Sequence, residues 1–184
     1  FYGWIMLPAV MLVTICTSPG QTYGISVFNP YIQQSLGLSS AELSGAYMIG
    51  TVLASLPLFW VGALMDRHGP RRVLIGVVVL FGLTCIGMRY VSGLGSLFLV
   101  FFFLRFLGQG SMSMLARNAL AMWFERRLGF ASGVSNIGMA VAVGTVPALG
   151  FALVEAYGWR GAYEVFGIGI WVLLIPLVVL VFRD

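Results

Sequence analysis

Arg105, Gln109, Ser113 and Arg117 recur every four positions in a stretch of the 184-residue chain that is otherwise apolar. In a helix a step of four residues drifts by only about 40°, so the row stays on one face. Guanidinium, amide and hydroxyl groups are hydrogen-bond donors, and a row of them suits an anion. Arg105 lies roughly 13 Å along its helix from the outer end. Even low estimates put an arginine at the centre of a membrane helix at ~2.5–3.5 kcal/mol. It therefore has to face water, a partner or a ligand. Two roles stay open for it: internal scaffolding held by backbone carbonyls and polar neighbours, or direct anion binding. Arg117 sits nearer the cytoplasmic end, where a gate or a snorkelling role suits it better than ligand contact.

Other stretches offer weaker candidates. Gly20-Gln21-Thr22-Tyr23-Gly24 overlaps a Ser18-Pro19-Gly20 step that should kink or unwind the first span. Thr17 and Gln21 share a face there. Ser132, Asn136, Ala140 and Gly144 form a small-residue face suited to close helix packing, with Asn136 the member able to contact solute. Tyr47 and Thr51 could contact solute or satisfy neighbouring carbonyls. Gly62 to Arg72 is the sharpest local signal: Asp66 stands beside Arg67, Arg71 and Arg72, a node for a salt bridge that makes and breaks with conformation. Gly62 permits close helix approach and Gly69-Pro70 forces a tight turn. The plainer alternative is a basic loop that only fixes topology.

Catalysis has little support. The zinc-protease and nucleophile-elbow motifs are absent, no two acids share an apolar span, and His68 sits alone in the basic loop. Cys16 and Cys85 lie in apolar stretches, which speaks against a metal site or a disulfide. No enzyme activity, metal or cofactor is expected. Nor is a nucleic-acid partner, because the basic residues sit at helix ends rather than on one patch.

These residues must be positioned by membrane helices. The chain is 60% hydrophobic and 9% charged, whereas soluble domains carry about 25% charged residues. Six apolar spans can be read, at about 4–28, 41–65, 73–91, 96–124, 130–157 and 162–182. A Ser39/Glu42 capping box opens the second, and Asn29-Pro30 ends the first. The ten basic residues are all arginine. Arg67, Arg71, Arg72, Arg126, Arg127 and Arg183 fall on one side, against Arg89 and Arg160 on the other. By the positive-inside rule both ends of the segment lie in the cytoplasm. Spans three and six are almost featureless, whereas one, two, four and five carry the polar residues. The latter should line an interior, leaving three and six against lipid.

A sequence echo suggests duplication. Gly62-Ala-Leu-Met-Asp66-Arg-His-Gly69-Pro-Arg71 is matched, 89 residues on, by Phe151-Ala-Leu-Val-Glu155-Ala-Tyr-Gly158-Trp-Arg160. Three spans separate the copies, so they lie on opposite faces of the membrane. That predicts two inverted three-helix repeats, about 1–92 and 93–184, a plan typical of secondary transporters. The fold class expected is thus all-α and polytopic.

Taken together, these motifs resemble those of a known family. Gly62-x-x-x-Asp66-Arg67-x-Gly69-x-Arg71-Arg72 is similar to the loop between helices two and three of the major facilitator superfamily. Arg105-Phe-Leu-Gly108-Gln-Gly110 resembles its helix-four motif, and Gly158-Trp-Arg160-Gly-Ala-Tyr its five–six turn. Within the superfamily, Tyr2-Gly-Trp, Gly20-Gln-Thr-Tyr-Gly-Ile-Ser-Val-Phe and Gly108-Gln-Gly-Ser-Met-Ser look most like bacterial monocarboxylate-transporter and oxalate/formate-antiporter relatives. The drug-antiporter branch has a Gly-Pro-rich motif in helix five; here Pro147 and Gly150 match it, whereas Val146 and Phe151 replace glycines.

The resemblance implies the N-terminal half of a twelve-helix transporter whose C-terminal half is missing, and the opening Phe1 in place of Met fits a segment. It also implies that Asp66 meets a helix of that other half to lock the outward-open state, assisted by Arg71 and Arg72. The expectation is a secondary active transporter in a bacterial inner membrane, working by alternating access on a small organic anion such as a monocarboxylate. Thr17, Gln21, Tyr47, Arg105, Gln109 and Asn136 would contact substrate. Gly62, Asp66, Arg67, Gly69, Arg71, Arg72 and Arg117 would gate. Its partners would be the solute, the lipid bilayer and the C-terminal half, and any proton or ion coupling would run through that half. A six-helix channel or pore module, or an efflux transporter for amphipathic compounds, stands as the alternative.

Overall fold

The computed structural model describes residues 2–124 and 127–182, so Arg126 and Arg183 of the basic-side tally lie outside it. The described residues are helical nearly throughout. Span one is α1 (Gly3–Cys16), a tight turn (Ser18–Gly20) and α2 (Thr22–Ser26). The unwinding expected at Ser18-Pro19-Gly20 is present, and Gln21 leaves it with extended backbone (φ −87°, ψ 156°). Asn29-Pro30 opens a helix of its own, α3 (Asn29–Leu36). Proline suits a helix's first turn, where its missing N–H has no acceptor anyway. Gly37, in the left-handed region at φ 64°, stops it.

Span two is α4 (Ser40–Ser55) and α5 (Leu58–His68). The Ser39/Glu42 capping box forms: Ser39 Oγ accepts from the Glu42 N–H at 3.2 Å, and Glu42 Oε2 accepts from the Ser39 N–H at 2.8 Å. The break between the two helices falls at Pro57, which has no N–H to continue the ladder. Span three is α6 (Pro70–Gly87). Span four runs from α7 (Leu94–Phe103) through a π-helical segment (Leu104–Met112) to α8 (Ser113–Trp123).

Spans five and six follow one another without a loop as α9 (Leu128–Val181), two helices that meet at a kink. Straight, its 54 residues would reach about 80 Å, more than twice the ~30 Å hydrocarbon core of a bilayer. Gly158, at φ 70° and ψ 169°, folds it back. Phe130 near its start and Val181 at its end both meet the beginning of the chain. Trp4 lies 6.3 Å from Phe130 between ring centroids, and Tyr2 donates to the Val181 carbonyl at 2.8 Å. Tyr2, Trp4, Trp123, Phe124 and Phe130 cluster at this end, as aromatic side chains do at a membrane interface. At the other end Arg89 pairs with Glu164 at 2.7 Å.

The two halves of the sequence echo share geometry. Gly69 (φ 80°, ψ 156°) and Gly158, 89 positions apart, occupy the same essentially glycine-only region. The arginines two residues beyond them make exchanged contacts. Arg71 donates to the Val179 carbonyl at the end of span six, and Arg160 to the Val91 carbonyl beyond span three. Each span's first turn is thus tied to the far end of the other. Between these ties, Gly167 packs on the Gly82 carbonyl and Trp171 donates to the Val79 carbonyl at 3.2 Å.

The fold-back should depend on its glycine. Gly158→Ala puts a Cβ where the backbone tolerates none, a strain of about 1–3 kcal/mol. A built Cβ there meets no neighbouring atom within 4 Å, so the effect isolates backbone strain. The apparent melting temperature of the purified protein in detergent should fall. An unchanged melt would show that the fold-back does not depend on that conformation.

Candidate functional site

Spans one and four cross where Gly20 meets Gly108, and the crossing sets the site. A Cβ on Gly20 would lie 2.4 Å from the Leu104 carbonyl oxygen and 3.1 Å from the Gly108 Cα. Only two facing glycines allow this approach. The π segment provides the facing surface: Ser111 Oγ donates to the Phe106 carbonyl five residues back at 2.8 Å. Interruptions of this kind often mark functional positions in helices.

Arg105 enters that crossing and is 7% exposed. Its Nη1 donates to the Gly20 carbonyl at 3.1 Å and to Thr22 Oγ1 at 3.4 Å, and its Nε to Thr51 Oγ1 at 3.1 Å. The Tyr47 ring lies 5.0 Å from the guanidinium carbon, and the Tyr47 hydroxyl shares a 2.8 Å hydrogen bond with Thr22. The carbonyl is available because the tight turn leaves Gly20 outside regular helix. Arg105 also lines a recess of about 240 Å³ with Thr51, Ser55 and exposed Gln109. Arg105 is thus held by a backbone carbonyl and polar neighbours, and an accessible edge remains beside it.

The other candidates divide. Thr17 is wholly buried, and its hydroxyl donates to the Thr14 carbonyl at 2.7 Å while accepting from Gln21 Nε2 at 3.1 Å. Thr17 and Gln21 brace the kink and sit inside the protein. Ser113 and Arg117 do not share the Arg105 recess. They line a second one, of about 370 Å³, with Thr14, Ser132, Ser135 and Asn136. The row of four on span four is thus split between two recesses. Thr22 and the Gly20 carbonyl are partners of Arg105 that the sequence did not single out. Their only sequence signal is their place at and just after the proline turn.

In the basic loop, Gly69 adopts the conformation that turns span two into span three, and Arg71 ties down to span six. Asp66 and Arg67 are exposed, and Asp66 makes no ion pair among the described residues. The close helix approach expected at Gly62 is not made within this bundle: a Cβ there meets nothing within 4 Å. No group of three or more potential metal ligands occurs among the described residues.

Comparison with known proteins gives this geometry its family. The chain is 28% identical over 172 residues to monocarboxylate transporter 3 of Rattus norvegicus, covering 90% of this chain and 34% of the relative. It is 28% identical over 180 residues to the oxalate:formate antiporter of Oxalobacter formigenes, covering 96% of this chain and 42% of the relative. To a probable sulfoacetate transporter of Cupriavidus necator it is 27% identical over 147 residues, with 78% and 33% covered. The chain therefore spans well under half the length of each of these relatives. The sequence model described as Major Facilitator Superfamily matches residues 10–184. With its apolar helices and a match over nearly its whole length, the chain belongs to the Major Facilitator Superfamily.

Proposed function

We propose that this chain is the N-terminal six-helix half of a secondary active transporter that moves a small organic anion by alternating access. The observation that carries the reading is Arg105: a nearly buried cation with no acidic partner among its contacts, lining a recess beside Gln109. A buried charge without a counter-ion is costly, and an anionic solute would relieve that cost. The relatives' names agree in chemistry, since monocarboxylate, oxalate, formate and sulfoacetate are all small organic anions.

In this reading Tyr47, Arg105 and Gln109 contact the solute, Thr17 and Gln21 shape the kink beside it, and Asn136 lines the second recess, where spans one, four and five meet. The segment from Gly62 to Arg72 gates, with Asp66 awaiting a partner in a C-terminal half. Any proton-coupling carboxylate lies there too. Both ends of this segment face the cytoplasm of a bacterial inner membrane. A sided uptake assay tests the central claim. The full-length protein in proteoliposomes should take up labelled formate or oxalate with saturation, and vesicles preloaded with the same anion should take it up faster. Flux that rises linearly with concentration and ignores preloading would reject a carrier in favour of a pore.

A further inference from the structure

The second recess is better equipped for an anion than its position near one end of span four suggests. Arg117 is exposed and makes no hydrogen bond or ion pair among the described residues. Asn136, Ser132 and Ser135 line the same recess and likewise make no side-chain hydrogen bond there. A guanidinium, an amide and two hydroxyls thus line one recess with their donors unused, and none of the described lining residues is acidic. Contrast Arg105, three of whose hydrogen bonds already go to Gly20, Thr22 and Thr51. The volume also differs: about 370 Å³ falls within the ~300–1,000 Å³ of small-molecule sites, whereas the Arg105 recess, about 240 Å³, falls below it.

We propose that Arg117, Asn136, Ser132 and Ser135 form a second anion site, a station where a carboxylate or sulfonate docks apart from Arg105. Both sites sit on span four, twelve residues apart, well over about 10 Å along the helix even through its π segment. A small carboxylic acid cannot bridge that distance, so the anion occupies the two stations in turn. Arg117 then acts as a binding residue where the sequence suggested a gate. The inference rests on the organic-anion reading above.

Two kinds of variant test it in the full-length protein, with formate and oxalate as probes and uptake measured from each membrane face. Arg117→Gln and Asn136→Ala should each raise the half-saturation concentration at least tenfold from the face onto which the recess opens. Maximal rate should stay within threefold, and Arg117→Lys should restore much of the affinity by returning the charge. A gate would behave oppositely, with maximal rate lost and half-saturation unmoved, and that result overturns the proposal. Should Arg117→Gln not fold, Asn136→Ala carries the same expectation, and its unchanged half-saturation overturns the proposal equally. If the native protein neither transports nor is thermally stabilised by either anion, the organic-anion reading falls and this site with it. If native uptake saturates while both variants match it from both faces, this site alone falls.

Discussion

Arg105→Ala should lower uptake of the transported anion on the order of 100-fold or more in the full-length protein. Removing one member of a desolvated, hydrogen-bonded charge constellation costs about 2–5 kcal/mol, and the same guanidinium holds spans one, two and four at one point. Two losses are superposed. The anion loses its cation, and the Gly20 carbonyl loses a donor in a buried crossing, which costs about 1–3 kcal/mol by itself. Arg105→Lys separates them. Lysine keeps the charge and gives up the planar fork, so it cannot reach Thr51 and Gly20 in the geometry they now share.

The expected pattern is poor folding and poor uptake for alanine, with weakened but saturable uptake for lysine. Half-saturation concentration and apparent melting temperature should be read on the same preparations. If Arg105→Ala melts early yet transports with native half-saturation, the guanidinium is scaffolding alone. The anion would then be held elsewhere, and the donors around Arg117 and Asn136 are the obvious place.

The fold was legible where a residue's chemistry acts on its own neighbours. Ser39 and Glu42 cap a helix because both partners lie within four residues of one another. Pro19 unwinds span one because proline removes a donor from the ladder. The echo between Gly69 and Gly158 was legible because both turns need a backbone region that only glycine occupies freely. Asn29-Pro30 shows the limit of such reasoning. Proline breaks a helix from within and opens one from the first turn, so the residues on its C-terminal side decide between the two.

The site was half legible, for a different reason. Polar residues every four positions fit an α-helix of 3.6 residues per turn and also fit the wider π turn, so the row on span four does not reveal its own backbone. Nor does a shared helix face amount to a shared cavity. Which recess each residue joins depends on the neighbouring helix: span two beside Arg105, spans one and five beside Arg117. Thr17 and Gln21 illustrate the same point. Their chemistry is right for a solute, but each satisfies the other inside the kink. What acts at long range in sequence has to be seen in three dimensions.

The crossing of spans one and four carries the other large effect. Gly20→Ala should destabilise the protein strongly and cut uptake with it, because the three atoms nearest the new Cβ all belong to backbone: the Leu104 carbonyl oxygen at 2.4 Å, the Gly108 Cα at 3.1 Å and the Leu104 carbonyl carbon at 3.3 Å. Backbone inside a helix cannot rotate away as a side chain can, so the two spans have to separate. Overpacking of this kind costs about 1–3 kcal/mol and occasionally more. Separation also lengthens the bond from Arg105 to the Gly20 carbonyl, so the charge loses its brace as the helices lose contact. Gly108→Ala should be milder, since its nearest obstruction is the Phe81 ring at 2.7 Å, although that ring is itself wholly buried. Gly76→Ala supplies the control: it lies mid-helix in α6 with nothing within 4 Å of the added Cβ, and alanine there should stabilise by roughly 0.5–1 kcal/mol. Apparent melting temperatures should therefore rank Gly76→Ala at or above native, then Gly108→Ala, then Gly20→Ala, with uptake falling in the same order. A Gly20→Ala protein that melts and transports as the native one does would mean that spans one and four are not held at this distance, and the brace on Arg105 would have to be sought in span two alone.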